Sequence, residues 1–439
     1  MNHESVLVCT VGTGDISRIE ETLFEPLTKS IRRGQWNKVV LLPSQATLNH
    51  AEELRSRLGD VVIEVKPLLN AKDEDDPDSC FAHFDRILSE ILGAGFASDS
   101  LVADFTRGTK AMSAALVLAA IRHDVPVVRY VAGEKRDERG MVVPGSETIV
   151  EVKTIIASAR RLLDEAMMFF RVGNFGAAFD LLPSETQLTD LRWPSELATQ
   201  AILARNLAAF YAAWDRLDYK RATEIELVSH VPSSTWHKFV PPAEVREWVA
   251  DSAKPFPEQN HHRAIRLRSL VVDLFANGER RLRDCQYEDA VIRAYRVLEL
   301  VGQIRLFDHD LDSDALPGEH PVVKAFQDEL RADKRQEPLT EKNGLLKAPR
   351  EKVARLLKRL GDPLAKRLLQ LGNQSEGEVK LSKRNYSVWI HGFEAVAGSD
   401  PEPIRRLYFE LEKLLIEDGG NIVQTRLKLA RWLDFSRRD

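Results

Sequence analysis

The chain has 439 residues, of which 44% are hydrophobic and 29% are charged, and its formal net charge is −5 at pH 7. This length exceeds what one hydrophobic core usually serves, so two or three domains are expected. The negative charge argues against a protein that coats nucleic acid without specificity. The longest apolar run, residues 111–121, is too short to span a bilayer, and no signal peptide is evident, so we expect a cytoplasmic protein.

The first 150 residues alternate between strand-like and helix-like segments. Short apolar runs bounded by turn residues predict strands at residues 5–9, 38–43, 61–65, 100–104 and 127–131. Helical patterns at residues 19–31, 81–92 and 109–122 lie between them. This alternation predicts a mostly parallel, Rossmann-like sheet, whose ligands bind beyond the carboxyl ends of its strands.

Two glycine-containing loops follow the first and the fourth of these strands. Glycines let backbone amides approach a phosphate, and a helix N-terminus behind them attracts negative charge. The glycine motif of dinucleotide enzymes is incomplete, because Ser17 stands in the place of its third glycine. The upstream glycine and the Gly-Lys-Ser/Thr order of a Walker phosphate-binding loop are also missing. The first loop contains Thr10, Gly12, Thr13, Gly14 and Asp15, and the second contains Thr106, Arg107, Gly108, Thr109 and Lys110.

Beyond residue 150 the pattern is helical to the C-terminus. Helices are predicted at residues 155–171, 175–182, 267–282 and 287–304, and the proline-rich stretch 231–257 is a candidate linker. The helix at 287–304 has one apolar face at helical spacing, which predicts a position in a helical bundle. That face consists of Ala290, Val291, Ala294, Val297, Leu298 and Val301.

Near the C-terminus, Arg384 and Asn385 precede His391 within an apolar helical stretch. Seven residues is nearly two helical turns, so Arg384 and His391 share one face and lie about 10 Å apart along the axis. A guanidinium stabilises the charge of a phosphate transition state, and an imidazole moves a proton or positions a 2′-hydroxyl. The motif therefore suggests RNA cleavage, although an ordinary helix end closed by Gly392 explains the spacing equally well.

No metal site is predicted. Cys9, Cys80 and Cys285 are far apart and form no Cys-x-x-Cys pair, which indicates neither a disulfide framework nor a thiolate zinc site. The pair His261-His262 lacks spaced cysteine, aspartate or glutamate partners. The chemistry suggested for Arg384 and His391 needs no metal.

The two N-terminal loops and the Arg384-Asn385…His391 motif together resemble the CARF–HEPN ribonucleases of type III CRISPR systems. The resemblance covers about residues 1–150 and 280–439. In that family the CARF domain binds cyclic oligoadenylate, and the bound ring activates the HEPN ribonuclease. The resemblance implies that the two loops line opposite rims of the ligand pocket and that Asp104 holds its loop through backbone amides. Ser44 and Gln45, directly after the second strand, are either adenine contacts or simple turn residues.

The resemblance further implies a CARF domain at residues 1–153, a helical connecting region at 154–257 and an all-α HEPN domain at 258–439. Arg384, Asn385 and His391 would cleave single-stranded RNA without a metal, leaving a 2′,3′-cyclic phosphate. One Arg–His pair is sparse for this chemistry, so a homodimer with a composite site is expected. The alternatives are a non-catalytic CARF regulator of a protein or DNA partner, and a CARF domain that cleaves its own ligand through Thr10, Thr13 and Lys110.

Overall fold

The computed structural model of the protein describes residues 5–135, 143, 146–191, 193–227, 234–373, 401–433 and 435. The chain divides into two compact units. The first comprises Met1–Glu165 and Pro183–Ala201, and the second comprises Ala166–Leu182 and Ile202–Asp439. The domain boundaries at residues 153 and 257 stay predictions.

A six-stranded sheet is the centre of the first unit. Its strands are β1 (Val6–Val11), β2 (Lys38–Pro43), β3 (Ile63–Val65), β4 (Leu101–Asp104), β5 (Val127–Gly133) and β6 (Glu147–Lys153). They lie in the order β3-β2-β1-β4-β5-β6, and all neighbours are parallel except β5 and β6. The predicted, mostly parallel sheet is confirmed. The antiparallel strand β6 was not predicted, because its charged residues interrupt the apolar pattern of a buried strand.

Helices cover both faces of this sheet. Because side chains of a strand alternate between faces, Val6 and Val8 of β1 point into one core, whereas Leu7, Cys9 and Val11 point into the other. Helices α1 (Glu25–Arg32) and α2 (Leu48–Arg57) cover the second face, and α3 (Pro77–Gly93) and α4 (Lys110–Arg122) cover the first. The continuous apolar run of β1 is thus explained by burial on both sides.

The strand order reverses at β1. From β1 the chain continues to β2 and β3 on one side, and then returns to β4 and β5 on the other side. The carboxyl ends of β1 and β4 are therefore neighbours, with Cys9 opposite Asp104. Such a reversal separates the two connections and opens a crevice, which is where ligands of this fold class bind.

The remainder of the described chain is mainly helical, as predicted. Helix α5 (Ile155–Arg171) has the predicted bounds, and the other three predicted helices correspond to α6 (Phe175–Leu181), α11 (Asn260–Arg283) and α12 (Tyr287–Asp308). The further helices are α7 (Glu185–Leu191), α8 (Ser195–Asp215), α9 (Tyr219–Thr223), α10 (Ala243–Ala253), α11 (Asn260–Arg283), α12 (Tyr287–Asp308), α13 (Pro321–Ala332), α14 (Arg350–Arg359), α15 (Ala365–Asn373) and α16 (Glu402–Ala430). None of the described helices has both the length and the apolar character needed to cross a membrane.

A small sheet interrupts this helical pattern. It contains β7 (Leu316–Pro317), β8 (Thr340–Lys342) and β9 (Leu345–Lys347), in the order β7-β9-β8. These strands have only two or three residues, which is too short for an alternating pattern to be visible in the sequence. The helical prediction for this part of the chain therefore missed them.

The core of the second unit includes the predicted apolar face of α12. All six of its predicted core residues are buried, and α12 packs against α11, α14 and α16. Phe170 is fully buried in a second part of this core, and its ring centroid lies 5.0–5.5 Å from those of five other aromatic rings. Those rings belong to Phe175, Tyr211, Trp236, Phe239 and Phe435.

The proline-rich stretch predicted as a linker is folded where the structure describes it. Trp236 is buried, Pro242 precedes the first residue of α10, and α10 buries Val245, Trp248 and Val249. Proline suits this position because the first turn of a helix leaves its amides without intrahelical acceptors. The prolines thus mark helix boundaries rather than an extended connection.

Candidate ligand-binding site

The two predicted loops come into contact at the carboxyl edge of the sheet. A Cβ atom added to Gly12 would lie 2.7 Å from the backbone nitrogen of Gly108, so the two backbones approach too closely for any other residue. Gly108 has a φ of 153°, and a Cβ atom there would lie 3.2 Å from the Thr10 side chain. Both glycines are therefore required by this close approach.

The second loop leads directly into helix α4. The Thr109 hydroxyl accepts a hydrogen bond from the Met112 amide at 3.2 Å, which is an N-cap, and it donates to the Glu74 carbonyl. Lys110 is the first residue of the helix and its side chain is exposed. The partial positive charge of the helix N-terminus thus lies beside the crevice, and Lys110 begins the helix at this point.

Asp104 holds the start of this loop from inside the protein. Its side chain is fully buried, and its Oδ1 accepts hydrogen bonds from the Thr106 amide at 2.9 Å and from the Thr106 hydroxyl. The Thr106 Oγ1 atom in turn accepts a hydrogen bond from the Val131 amide at 2.9 Å. The structural role expected for Asp104 is confirmed. The Thr106 hydroxyl is occupied by its hydrogen bonds to Asp104 and to the Val131 amide.

Arg107 follows Thr106 and is partly buried. Its Nε atom has no hydrogen-bond partner among the described residues, and burial lowers the pKa of its guanidinium, while the field of Glu147 acts in the opposite direction. Arg107 has no ion pair within the described part of the chain, and a partly buried guanidinium in that situation favours an added anion. Arg107 therefore has the electrostatic character expected of a phosphate-binding residue.

The first loop presents Thr13 and Asp15 at the surface. Asp15 accepts hydrogen bonds from the Ser17 hydroxyl at 2.6 Å and the Ser17 amide at 3.0 Å, and these bonds lower the pKa of its carboxyl group. The Asp15 amide donates to Thr22 Oγ1 at 2.9 Å, while Gly14 has a φ of 65°. Asp15 thus shapes a tight turn, and its negative charge does not favour direct contact with a phosphate.

Three further predicted residues have side chains engaged within the protein. Thr10 is fully buried and donates to the Asp104 carbonyl at 3.5 Å, and Ser44 is 1% exposed with its hydroxyl 3.1 Å from that of Thr47. Gln45 is exposed, but its amide donates to the Leu68 carbonyl at 2.5 Å. Thr10 and Ser44 therefore support the loops from below the crevice.

Thr47, which was not predicted as a site residue, connects two of the loops. Its hydroxyl donates to the Val11 carbonyl at 2.8 Å and accepts from the Ser44 amide at 2.9 Å. A serine followed three residues later by a threonine, directly after a strand, was the available signal, since such residues often bond to nearby backbone.

The predicted catalytic residues Arg384, Asn385 and His391 lie outside the described residues. The helices on either side of them in sequence are α15 and α16. Within the described part of the chain, no cluster of three or more histidine, cysteine, aspartate or glutamate residues is arranged to hold a metal ion.

Comparisons with known proteins agree with this architecture. Residues 259–415 match the family model of the Csm6 HEPN domain. The structure of Enterococcus italicus Csm6 bound to cyclic hexa-2′-fluoro-hexa-dAMP superposes with a TM-score of 0.57 and 11% identity, over 98% of this chain and 99% of that chain. None of the curated protein sequences matches this one.

A second solved structure, Can2 from Sulfobacillus thermosulfidooxidans in complex with cyclic tetra-adenylate, matches with 14% identity. It covers 50% of this chain and 69% of that chain, and its TM-score of 0.23 is too low to support a conclusion. The superposition on Csm6 shows a shared fold, and the family model identifies the HEPN domain. Residues 259–415 therefore match the family of Csm6 HEPN domains, and the chain as a whole shares the fold of Csm6.

Proposed function

We propose that this protein is an endoribonuclease activated by cyclic oligoadenylate in CRISPR antiviral defence. The observation that carries the proposal is the contact between Gly12 and Gly108 beside the N-terminus of α4, in a chain whose residues 259–415 match a HEPN domain. E. italicus Csm6 is bound to a cyclic hexa-adenylate analogue in its solved structure. The same class of ligand fits an edge that combines close backbone approach with positive charge.

The proposed activator site uses two kinds of residue. Lys110 and Arg107 contact the phosphates of the ring, and the glycine backbones allow the ring to approach the loop amides. Thr13 and Gln45 lie at the exposed rim, whereas the buried Thr10 and Ser44 support the loops from below. The remaining predicted ligand-binding residues complete the two loops, namely Gly12, Gly14, Asp15, Thr106, Gly108 and Thr109.

In the proposed reaction a ribose 2′-hydroxyl of single-stranded RNA attacks the adjacent phosphorus in line. The P–O5′ bond breaks, the 2′-oxygen loses its proton and the leaving 5′-oxygen gains one, giving a 2′,3′-cyclic phosphate and a 5′-hydroxyl end. Arg384 stabilises the charge of the phosphorane, and Asn385 orients Arg384 or the scissile phosphate. His391 positions or exchanges the protons, so no metal takes part.

A homodimer is part of this proposal. A cyclic oligoadenylate has internal rotational symmetry, and one chain offers a single copy of the two loops, so the ring is expected on a two-fold axis between paired CARF domains. Two HEPN domains would then pool their Arg384 and His391 side chains in one composite site. Light scattering that shows a monomer both with and without ligand would contradict this arrangement.

The proposal is tested with purified full-length protein, labelled single-stranded RNA and each cyclic oligoadenylate in turn. One ring size should stimulate cleavage, and this activity should persist in EDTA. Arg384→Ala and His391→Ala should abolish cleavage while leaving the affinity for the ring unchanged. Arg406→Ala is the matched control, because Arg406 lies within the matched HEPN region and its side chain is 70% exposed. This control should cleave at the wild-type rate.

Two results would contradict the nuclease assignment. Cleavage at the wild-type rate in the Arg384→Ala/His391→Ala double variant would place the active site elsewhere, as would activity that is lost in EDTA and restored by magnesium. Ring binding without cleavage of any RNA would instead favour the non-catalytic regulator. Conversion of the ring itself to linear products, retained after both HEPN substitutions, would show that the CARF domain cleaves its own ligand.

A further inference from the structure

A buried ion pair lies directly beneath the loop that begins at Asp104. Asp104 ends β4 and Arg129 lies opposite it on β5. The Arg129 Nε atom is 3.1 Å from Asp104 Oδ2, and the two side chains are 4% and 0% exposed, respectively. Since a buried charge without a partner costs several kcal/mol, each of these residues depends on the other.

The Nε and Nη2 groups of Arg129 form hydrogen bonds within the protein. Its Nη2 atom donates to the Ser30 carbonyl at 2.7 Å and to the Ser30 hydroxyl at 2.8 Å, and that hydroxyl itself donates to Asp104 Oδ2. The guanidinium also lies over the Trp36 ring, whose centroid is 5.1 Å from Cζ. Arg129 thus binds α1 and β4 together and does not present its charge to a ligand.

The two oxygens of the Asp104 carboxylate have different partners. Oδ2 is bound by Arg129 and Ser30, whereas Oδ1 is bound by the amide and the hydroxyl of Thr106. The guanidinium therefore fixes the rotation and the ionised state of the carboxylate that anchors the loop. Thr106 is followed at once by Arg107 and Gly108, so a change at Oδ1 moves the proposed phosphate-binding residues.

We propose that Arg129 is a positioning residue that acts through Asp104 to hold loop residues 105–109 in the conformation that binds cyclic oligoadenylate. This inference rests on the proposed function, because it assigns a determinant of affinity for the same activator. Ser30 has a smaller role of the same kind, since it binds both members of the ion pair. The sequence does not reveal this network, because Ser30, Asp104 and Arg129 are distant along the chain.

The test compares substitutions that remove the charge of one partner with one that removes both. Arg129→Met should weaken binding of the activating ring by about tenfold or more, because the carboxylate loses its partner and releases Thr106. Arg129→Lys should also bind the ring more weakly than wild type does, because one ammonium group does not reproduce the planar guanidinium fork. In Asp104→Asn/Arg129→Met the amide oxygen still accepts from Thr106 and no unpaired charge remains, so affinity should return to within about threefold of wild type.

Two controls separate positioning from loss of the fold. Arg122→Met removes an arginine of α4 whose side chain is 58% exposed, and it should bind the ring as wild type does. Circular dichroism and thermal unfolding establish which variants are folded, and affinity is compared only among those. Ser30→Ala retains the ion pair and is the milder variant, so it should fold and lose about three- to tenfold in affinity.

Hydrogen exchange of the loop amides provides a readout that does not require a ligand. Amides of residues 105–109 should exchange faster in Arg129→Met than in wild type, and should return towards the wild-type rate in Asp104→Asn/Arg129→Met. Folded Arg129→Met with wild-type affinity and wild-type exchange would overturn the inference, as would a double variant no better than the single one. If wild-type protein binds no ring, the proposed function fails, and the exchange rates alone decide whether Arg129 positions the loop.

Discussion

The contact between Gly12 and Gly108 provides a sharp test of the site, by the substitution Gly12→Ala. The added Cβ atom would lie 2.7 Å from Gly108 N and 3.1 Å from Gly108 Cα, and both of these atoms belong to the backbone. A flexible side chain could move aside, but here one whole loop must separate from the other. An ordinary contact begins at 3.4 Å, so the separation needed is about 0.7 Å, the difference between 3.4 and 2.7 Å.

The size of the effect follows from this geometry. Gly108 is confined on its other side, where a Cβ atom would already lie 3.2 Å from Thr10 and 3.3 Å from Met112, so the second loop has little room to retreat. Inserting one methyl group into such a close-packed place costs about 1–3 kcal/mol. For a unit of this size each kcal/mol lowers Tm by about 2–4 °C. Affinity for the activating ring should fall as well, because separating the two loops changes the directions in which their backbone amides point towards the ligand.

The assay is thermal unfolding together with calorimetric titration of the activating ring. Gly93→Ala is the matched control: Gly93 ends α3, and a Cβ atom there would meet nothing within 4 Å. This control should keep wild-type affinity and be equally or slightly more stable, since alanine favours helix. If Gly12→Ala retained both the wild-type Tm and the wild-type affinity, the two loops would not meet as described, and the ligand would not bind at their contact.

Lys110→Ala and Arg107→Ala should each weaken activator binding by roughly ten- to hundredfold, because a charge-assisted contact contributes about 1.5–3 kcal/mol; unchanged calorimetric affinity in both would mean that this loop does not bind the ring. Burial raises the pKa of Asp273 to about 6 from 3.8, so its ionisation lowers stability as pH rises from about 4 to about 6. In urea unfolding, the free energy of unfolding of Asp273→Asn minus that of wild type should increase by up to about 3 kcal/mol across that range and stay constant from there to pH 8. If this difference did not depend on pH, the raised pKa of Asp273 would be contradicted. Phe170→Ala should cost about 3–5 kcal/mol in the same assay, because the ring is fully buried among five others, and a loss below about 1 kcal/mol would show that this aromatic cluster is not closely packed.

Elements whose pattern is long or strongly apolar could be predicted from local sequence alone. Strands β1 and β2 are continuous apolar runs, and α5 and α12 repeat apolar residues at helical spacing over several turns. These signals are local, so they survive without knowledge of the partners that cover them. The short strands β7, β8 and β9 and the polar edge strand β6 carry no such signal and were missed.

The sequence also located the candidate site, because in a parallel sheet the loops after neighbouring strands share one edge. Which side chains of those loops are exposed and which are buried follows only from the packing of the folded chain. Thr10 and Thr13 were both predicted in the first loop, but Thr10 belongs to β1 and is buried, whereas Thr13 is exposed. The difference arises because Thr10 is still within the buried strand β1, whereas Thr13 lies beyond its end.

Contacts between residues that are distant along the chain could likewise not be predicted from the sequence. Asp104 was expected to be structural, but its dependence on Arg129 and Ser30 follows from strand order and from the position of α1. The close approach of Gly12 to Gly108 joins residues 96 positions apart, as 108 minus 12 shows. Local pattern determines where strands and helices form, whereas the packing of those elements decides which buried charges are neutralised and which backbones meet.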